Sequence, residues 1–191
     1  MNRKDTTKLL TDILIQWMGV RSIYEKEVTL DWGYAHPKRI DVMQFIPGGV
    51  MNISGIEKGI FTCYEIKSCM ADVYSGNGLN FYGEKNYIVT TMETYKKLQE
   101  DLISDTFSNF RKEHHPETYK AEYGVLVPVP ANIDLRVTKD LYSEYENPTE
   151  FGGNPYDWKL AEMVNCYEGS RKRPMTELLF CMLRAKNNNS N

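Results

Sequence analysis

Several signatures of common enzyme classes and of membrane or secreted proteins are missing from this chain of 191 residues. No two of its four cysteines form a CxxC pair and none has a histidine at ligand spacing, so neither a zinc site nor a redox motif is indicated. No GxxxxGK[ST], GxGxxG or GxSxG pattern supports an ATPase, a dinucleotide-binding protein or a hydrolase. The first residues lack a signal-peptide apolar run and no stretch approaches ~18 apolar residues, which predicts an intracellular, cytoplasmic protein without membrane contact.

Excess positive charge is also lacking, because the formal net charge is −3 at pH 7. A fold with this charge has no global attraction for nucleic acid, so any DNA binding has to depend on a local basic patch. Hydrophobic residues make up 41% of the chain and charged residues 26%, which is ordinary for a globular domain with a real core. We therefore predict a single domain over residues 1–186 and a disordered tail over residues 187–191.

Hydrophobic periodicity predicts an α/β fold. Apolar residues at helical spacing predict helices over 6–18, capped near Asp5 or Thr6, and over 92–112 and 175–185, with a short helix near 158–164. Alternation and short apolar runs predict strands over 23–30, 39–46, 60–67, 87–91 and 123–129, the last paired with 133–137. Residues 50–59 read as a hairpin tip, and 68–83 as a loop with a short or broken helix. Three hairpin-connected strands followed by a crossover to a fourth make a mixed central sheet flanked by helices.

Two carboxylates and an ammonium are predicted to meet on neighbouring strands of this sheet. Asp41 lies on the second predicted strand and Glu65 on the third, and an antiparallel pairing places them side by side. The period of two then brings Lys67 onto the same face. Hard oxygen ligands of this kind, joined by the backbone carbonyl of Ile66, suit Mg²⁺ or Mn²⁺. Such a metal activates water, and a lysine orients that water or stabilises charge, so phosphodiester hydrolysis is the indicated chemistry.

The surrounding sequence resembles the PD-(D/E)XK nuclease superfamily, in particular its MmcB-like branch of DNA-repair nucleases. The resemblance covers residues 8–137 best, and it is carried by Arg39-Ile40-Asp41, Glu65-Ile66-Lys67-Ser68, Asp72, Asn80-Phe81-Tyr82 and Tyr87-Ile88-Val89. It implies a restriction-endonuclease-like αβββαβ core, a divalent metal, and DNA as the substrate, in repair, recombination or mobile-element processing. A homodimer is compatible with this substrate, since two cuts on a duplex need two active sites.

The chain departs from the family pattern at three places. Ile40 stands where the family has proline, and Asn86 stands where the branch often has aspartate. Many members add an acidic residue from the first helix; here Asp12 and Glu27 are the candidates for that further metal ligand, and we prefer Glu27. The second function that we consider is a nuclease fold kept as a non-catalytic module that binds DNA or a protein partner. The third is an interaction protein without a nucleic-acid role.

Each candidate residue also has a structural interpretation. The Asp41, Glu65 and Lys67 group has the alternative of a solvated strand face with a cross-strand ion pair. The candidate DNA contacts have the alternatives of exposed pairs, a loop cap and a solvated helix entry, and they are Arg39, Ser68, Lys85, Arg171 and Arg173. Phe81 and Tyr82 are expected to pack in the core. The three histidines, His36, His114 and His115, are expected at the surface.

Overall fold

The computed structural model describes residues 2–19, 22–50, 52–134 and 153–189. Its helices are α1 (Arg3–Met18), α2 (Ile53–Glu57), α3 (Met70–Val73), α4 (Met92–Ile103), α5 (Thr106–His114) and α6 (Met175–Asn189). Its strands are β1 (Ile23–Leu30), β2 (Lys38–Ile46), β3 (Ile60–Lys67), β4 (Lys85–Thr90), β5 (Gly124–Pro130) and β6 (Trp158–Val164). A single 3₁₀ turn, Pro155–Asp157, precedes β6. No described helix combines the length and the apolar character that a membrane crossing requires.

The six strands form one mixed sheet in which every strand lies beside its neighbours in the chain, in the order β1-β2-β3-β4-β5-β6. The β1–β2, β2–β3 and β5–β6 pairs are antiparallel. The β3–β4 and β4–β5 pairs are parallel, so the chain crosses over between these strands. This arrangement confirms the predicted α/β class and the mixed sheet flanked by helices.

Helix α1 covers one face of the sheet because its apolar residues recur at helical spacing. Its buried residues Leu10, Ile13 and Leu14 belong to one apolar cluster with Tyr64 and Ile66 of β3. Each fully buried side chain of this size contributes about 1.5–3 kcal/mol relative to its exposed state. The apolar side of α1 therefore determines which face of β3 carries Tyr64 and Ile66.

The opposite face of the sheet around β3 is covered by α6 and by α4 and α5 from the middle of the chain. Cys63 packs in a cluster with α6, through residues such as Leu178. Ile88, the β4 partner of Glu65, packs in a second cluster with α4 and α5. Side chains alternate along a strand, so Glu65 and Lys67 share the face of Cys63. These two charged residues therefore lie between two apolar clusters.

The predicted helix over residues 92–112 is wrong in one respect, because the structure breaks it into α4 and α5. Asp105 lies between the two helices with φ +61°, a left-handed conformation that an α-helix cannot contain. Helix α1 begins at Arg3, earlier than predicted, because the Asn2 side chain accepts a hydrogen bond from the Asp5 amide. The segment 50–59 also contains α2, which the sequence prediction did not include.

Two predictions for the C-terminal part are wrong. Residues 158–164 form strand β6, which pairs with β5, where a short helix was predicted. Helix α6 continues to Asn189, so the first three residues of the predicted disordered tail are helical. Residues 133 and 134 have no strand structure, and the rest of the predicted strand over 133–137 lies outside the described residues.

Candidate active site

A polar cleft of about 890 Å³ opens at the end of the sheet where β2 begins and β3 ends. The three predicted catalytic residues, Asp41, Glu65 and Lys67, all line it. The strand register explains why these residues lie close together. On β1 and β2 the pairs Lys26–Val42 and Val28–Ile40 lie on either side of Glu27 and Asp41, so Glu27 lies opposite Asp41. The Val42–Tyr64 pair is next to Asp41 and Glu65 on β2 and β3. Three acidic residues therefore occupy equivalent levels on three adjacent strands.

Asp41 is a half-buried carboxylate that β3 holds in place. Its Oδ2 accepts a hydrogen bond from the Ile66 amide at 2.8 Å. Burial raises the pKa of Asp41, while the Ile66 amide and Lys67 act in the opposite direction. In an extended strand the N–H and C=O of one residue point to the same side, so the Ile66 carbonyl is directed toward the Asp41 side of β3. This backbone direction fits the predicted role of Ile66 as a carbonyl ligand.

Glu65 is completely buried, and its carboxylate is only partly satisfied. Its Oε1 accepts a hydrogen bond from the Asn80 amide at 3.0 Å. Its Oε2 is buried and accepts no hydrogen bond from any described residue. Burial, followed by the nearby Asp41 carboxylate, raises the pKa of Glu65 to about 8, against the lowering effect of Lys67. The site therefore holds a carboxyl group whose second oxygen has no hydrogen-bond partner within the described part of the chain.

Lys67 lies beside Glu65 and is 3% exposed. Its Nζ donates a hydrogen bond to the Asn77 carbonyl at 2.7 Å. An ammonium carries three protons, and this contact directs one of them away from the carboxylates. The remaining protons are available for a second group that enters the cleft.

A glycine-containing loop over residues 75–80 closes the site from above. A Cβ atom added to Gly78 would lie 2.5 Å from Glu65 Oε2 and 2.8 Å from Lys67 Nζ, so only glycine allows this approach. Gly78 has φ +73°, which also favours glycine. Asn80 ties the loop to β2, because its side-chain amide donates to the Arg39 carbonyl at 2.7 Å. Sequence reasoning did not identify Gly78 or Asn80 as site residues, although the Gly76-Asn77-Gly78 pattern was a visible signal.

Ser68 and Asp72 form a closed local network. Asp72 Oδ2 accepts hydrogen bonds from the Ser68 amide at 3.1 Å and from its hydroxyl at 3.2 Å. Asp72 Oδ1 forms an ion pair with Arg3 of α1 at 2.5 Å. Both oxygens of Asp72 are therefore used within the protein, which favours the loop-cap interpretation of Ser68 over a DNA contact.

Of the two candidates for the further acidic ligand, Glu27 lies beside the site. It lines the cleft, and its charge acts to raise the pKa of Asp41. Glu27 has φ +55°, a strained conformation for a strand residue, and its carboxylate pairs with Arg39 at 2.8 Å. Asp12 pairs instead with Lys8 on the surface of α1 and does not line the cleft.

The predicted DNA contacts are not all brought together. Arg39 lines the cleft. Lys85 pairs with Thr62, whereas Lys67 pairs with Thr90, so Lys85 lies five residues along the sheet, roughly 16 Å away. Arg171 forms an ion pair with Glu84 at 3.0 Å. Arg173 pairs with Asp31 at 2.9 Å. The cleft wall therefore does not include Lys85, Arg171 or Arg173. The two arginines form ion pairs within the protein instead.

The prediction that His115 is a surface residue is wrong. It is 7% exposed, it lines the cleft, and its Nε2 has no hydrogen-bond partner among the described residues. Burial, followed by Lys38, Arg111 and Lys67, lowers the pKa of His115 to about 4, so the ring is neutral at pH 7. His36 and His114 are exposed, as predicted. Phe81 and Tyr82 are buried, which confirms the prediction of core packing.

Four carboxylates line the cleft, and two of them, Glu27 and Asp72, are ion-paired with arginines, which leaves Asp41 and Glu65, with the Ile66 carbonyl close by, as the candidate donor set. No group of three acidic, histidine or cysteine side chains among the described residues is arranged to hold a metal ion. The unpartnered Glu65 Oε2, beside Asp41, nevertheless fits a hard cation that keeps other positions for water.

Comparison of the chain with known protein families, with curated proteins and with solved structures finds no significant match.

Proposed function

We propose that the protein is a metal-dependent DNA nuclease with a restriction-endonuclease-like core. The observation that carries this proposal is the buried Glu65 carboxylate, which lies beside Asp41 and Lys67 in an open cleft and whose Oε2 has no hydrogen-bond partner among the described residues. An unsatisfied buried polar group costs about 1–3 kcal/mol, more when it is charged, so a purely structural role gives no account of it. A ligand that satisfies this oxygen provides that account.

The residues of the cleft divide the work of phosphodiester hydrolysis among them. Asp41, Glu65 and the Ile66 carbonyl would hold Mg²⁺ or Mn²⁺, with Glu27 as the preferred further acidic ligand. When bound, such a cation lowers the pKa of coordinated water and neutralises charge on the phosphate. The Ile66 amide fixes Asp41, and the Asn80 amide fixes Glu65, so both carboxylates are oriented before substrate arrives.

Lys67 supplies the positive charge that faces the substrate. In hydrolysis a water oxygen forms a bond to phosphorus while a bond from phosphorus to a sugar oxygen breaks, and negative charge grows on the phosphate oxygens. The Lys67 ammonium orients the attacking water or stabilises this charge, and its hydrogen bond to the Asn77 carbonyl holds the ammonium in place. Removal of one such electrostatic group typically lowers the rate by about 10²–10³-fold.

A non-catalytic module that binds DNA or a protein is the second candidate function. It is favoured by the complete burial of Glu65 and by the close approach of Gly78, which leaves little space around the carboxylate in this conformation. This candidate predicts no cleavage with any metal. It also predicts no rise of the melting temperature when Mg²⁺ or Mn²⁺ is added.

The test is cleavage of labelled duplex, single-stranded and branched DNA with Mg²⁺, with Mn²⁺ and with EDTA. We expect metal-dependent cutting by the wild type and a loss of at least about 10²-fold in Lys67→Ala. Lys97→Ala is the matched control, because Lys97 is an exposed lysine that pairs with Glu93 on α4. Melting temperatures with each metal give a second readout. An uncut substrate panel and an unchanged melting temperature, in a folded wild type, would reject the nuclease in favour of the second candidate.

A further inference from the structure

The turn between β1 and β2, residues 31–37, presents two large aromatic side chains to solvent. Trp32 is 69% exposed and Tyr34 is 75% exposed. Buried aromatic side chains remove about 150–250 Å² each from water, so two exposed rings within three residues leave a considerable apolar area uncovered. We refer to residues 31–37 as the aromatic turn.

The aromatic turn is continuous with the candidate active site. Its residues Ala35, His36 and Pro37 line the same cleft as Asp41, Glu65 and Lys67. Successive Cα atoms are about 3.8 Å apart, so Tyr34 adjoins the cleft wall and Trp32 lies within about 11 Å of Ala35. The backbone of both aromatic residues therefore lies close to the cleft wall, within a length that a few stacked nucleotides can span.

Contacts with α6 and with the segment before it hold the aromatic turn in place. The Arg184 guanidinium stands 5.3 Å from the centre of the Trp32 ring, and Arg184 also donates a hydrogen bond to the Thr29 carbonyl. Asp31, which has φ +52°, forms its ion pair with Arg173. Arg184 covers one face of the Trp32 ring, while the high exposure of the side chain leaves the other face open. A ring fixed in advance loses little conformational entropy when it binds.

The charges around the aromatic turn favour a polyanion that also offers flat apolar rings. Lys38 and Arg39 line the cleft directly after the turn, and Arg184 lies behind Trp32. Arg39 is ion-paired with Glu27, so Lys38 and Arg184 supply the positive charge beside the turn that favours a phosphate backbone, in a chain whose net charge is −3. Base stacking on an aromatic side chain requires a base whose face is free, and bases inside an intact duplex are covered by their neighbours.

We infer that the aromatic turn stacks on unpaired nucleobases, so that the cleft receives a single-stranded segment of DNA. The inference rests on the proposed nuclease function for its choice of ligand. A base would stack on the open face of the Trp32 ring, while Arg184 covers the other face of that ring. Tyr34 would stack on a second base nearer the cleft, where Lys38 faces the phosphates.

The test measures DNA binding without cleavage, in EDTA and in the Lys67→Ala background. A fluorescein-labelled thymidine 15-mer and a duplex of the same length are titrated at low salt, and fluorescence anisotropy gives the dissociation constants. We expect the single strand to bind more tightly than the duplex. We expect Trp32→Ala and Tyr34→Ala each to weaken single-strand binding at least about fivefold.

Matched controls come from exposed aromatic residues far from the cleft. Trp17 on α1 is 45% exposed and Tyr156 before β6 is 73% exposed, and neither lines the cleft. Trp17→Ala and Tyr156→Ala are expected to change the dissociation constant less than twofold. In Trp17→Phe the remaining tryptophans are Trp32 and the buried Trp158, so quenching of fluorescence by the single strand reports directly on Trp32.

Equal affinity for duplex and single strand, or equal losses in Trp32→Ala and Trp17→Ala, would overturn the inference. Absence of binding to either DNA at low salt would overturn it as well. A protein that cuts no DNA with any metal, yet binds the single strand through Trp32, would reject the nuclease and retain the aromatic turn as a DNA-binding element. Cleavage of duplex with no loss in Trp32→Ala would do the reverse.

Discussion

Buried polar side chains lie at both ends of the β3–β4 pair, and the two ends differ in how completely these side chains are hydrogen-bonded. At the end far from the cleft, Glu84 accepts a hydrogen bond from the Phe61 amide at 2.9 Å and pairs with Arg171 at 3.0 Å. Asn86 accepts from the Gly83 amide and donates to the Gly83 and Glu122 carbonyls. At the cleft end, Glu65 Oε2 and His115 Nε2 have no partner among the described residues.

This difference separates polar groups that stabilise the fold from polar groups that are kept for another purpose. A complete hydrogen-bond set contributes to stability, whereas an incomplete buried set costs about 1–3 kcal/mol per group. Incomplete groups persist in folded proteins mainly where ligand binding or catalysis uses them. Two of the four buried side-chain atoms without a partner among the described residues, Glu65 Oε2 and His115 Nε2, belong to residues that line the cleft, whereas Gln16 and Arg111, which hold the other two, do not line it. The incomplete hydrogen bonding of Glu65 therefore supports the proposed site without reference to any motif.

The largest expected effect is at the satisfied end. Asn86→Ala removes three hydrogen bonds from a side chain that is 1% exposed, so we expect a loss of about 3 kcal/mol in the free energy of unfolding. Urea denaturation measures this loss. Asn109→Ala, an exposed position on α5, is the control and is expected to change stability by less than about 0.5 kcal/mol. Similar values for the two variants would contradict the structural role of Asn86.

A smaller effect is expected from the loop over the cleft. Gly76 and Gly78 have nearly equal φ angles, +74° and +73°, so alanine at either position brings a similar backbone strain of about 1–2 kcal/mol. A Cβ at Gly76 would lie 3.6 Å from His114 Cδ2, an ordinary contact, whereas a Cβ at Gly78 would collide with Glu65 Oε2 at 2.5 Å. We expect Gly78→Ala to cost about 2 kcal/mol more than Gly76→Ala in urea denaturation.

The same pair of variants separates a structural from a functional effect. Gly78→Ala is expected to remove any metal-dependent rise in melting temperature, because the added methyl group displaces Glu65 and Lys67. Gly76→Ala is expected to retain that rise. Equal behaviour of the two variants toward Mn²⁺ would show that the close approach of Gly78 has no bearing on the cleft.

The smallest expected effect is a pH dependence at the unsatisfied end. Glu65 keeps its proton in the folded state up to about pH 8, whereas the unfolded chain releases it near its ordinary pKa of about 4.3. The stability of the wild type therefore falls as the pH rises from that value through about 8. Glu65→Gln removes this dependence. Between pH 6.5 and 8, in EDTA, we expect the free energy of unfolding of this variant to fall less steeply with pH than that of the wild type, by up to about 1.4 kcal/mol per pH unit. Thermal melts across this pH range measure the difference.

The exposed residue Glu113 on α5 provides the control for this pH series. Glu113→Gln is expected to follow the wild-type slope in the same thermal melts. Parallel slopes for wild type and Glu65→Gln would show that Glu65 is ionised in the folded protein, and would remove the contrast between the two ends of the sheet.

The fold was predictable where the pattern of one segment decides its structure. Strands β1 and β3 occupy the predicted residues, 23–30 and 60–67, because alternation and β-branched or aromatic residues act locally. Strand β6 was predicted as a helix because Leu160, Ala161, Glu162 and Met163 are good helix formers. Pairing with β5 overrides that preference, and no pattern within residues 158–164 records the presence of a partner strand.

The candidate site divides in the same way. Asp41, Glu65 and Lys67 were predictable as a group because strand pairing and a period of two place them together. Asn80 and His115 reach the cleft through loop paths, and nothing in their local sequence specifies where those paths run. His115 lies in a polar stretch whose local pattern does not indicate burial, yet the side chain is 7% exposed.

The strand order has a consequence for how the chain matures. Every described strand after β1 pairs with the strand that precedes it in the chain, so the sheet can grow in the direction of synthesis. The cleft residues Glu27 to Asn80 are therefore in place early. The apolar side of β1, with Val28 and Leu30, is covered by α6, which follows all six described strands in the chain. Until α6 has been synthesised, the apolar surface of the β1–β2 hairpin is uncovered. A chaperone would recognise that surface on the nascent protein.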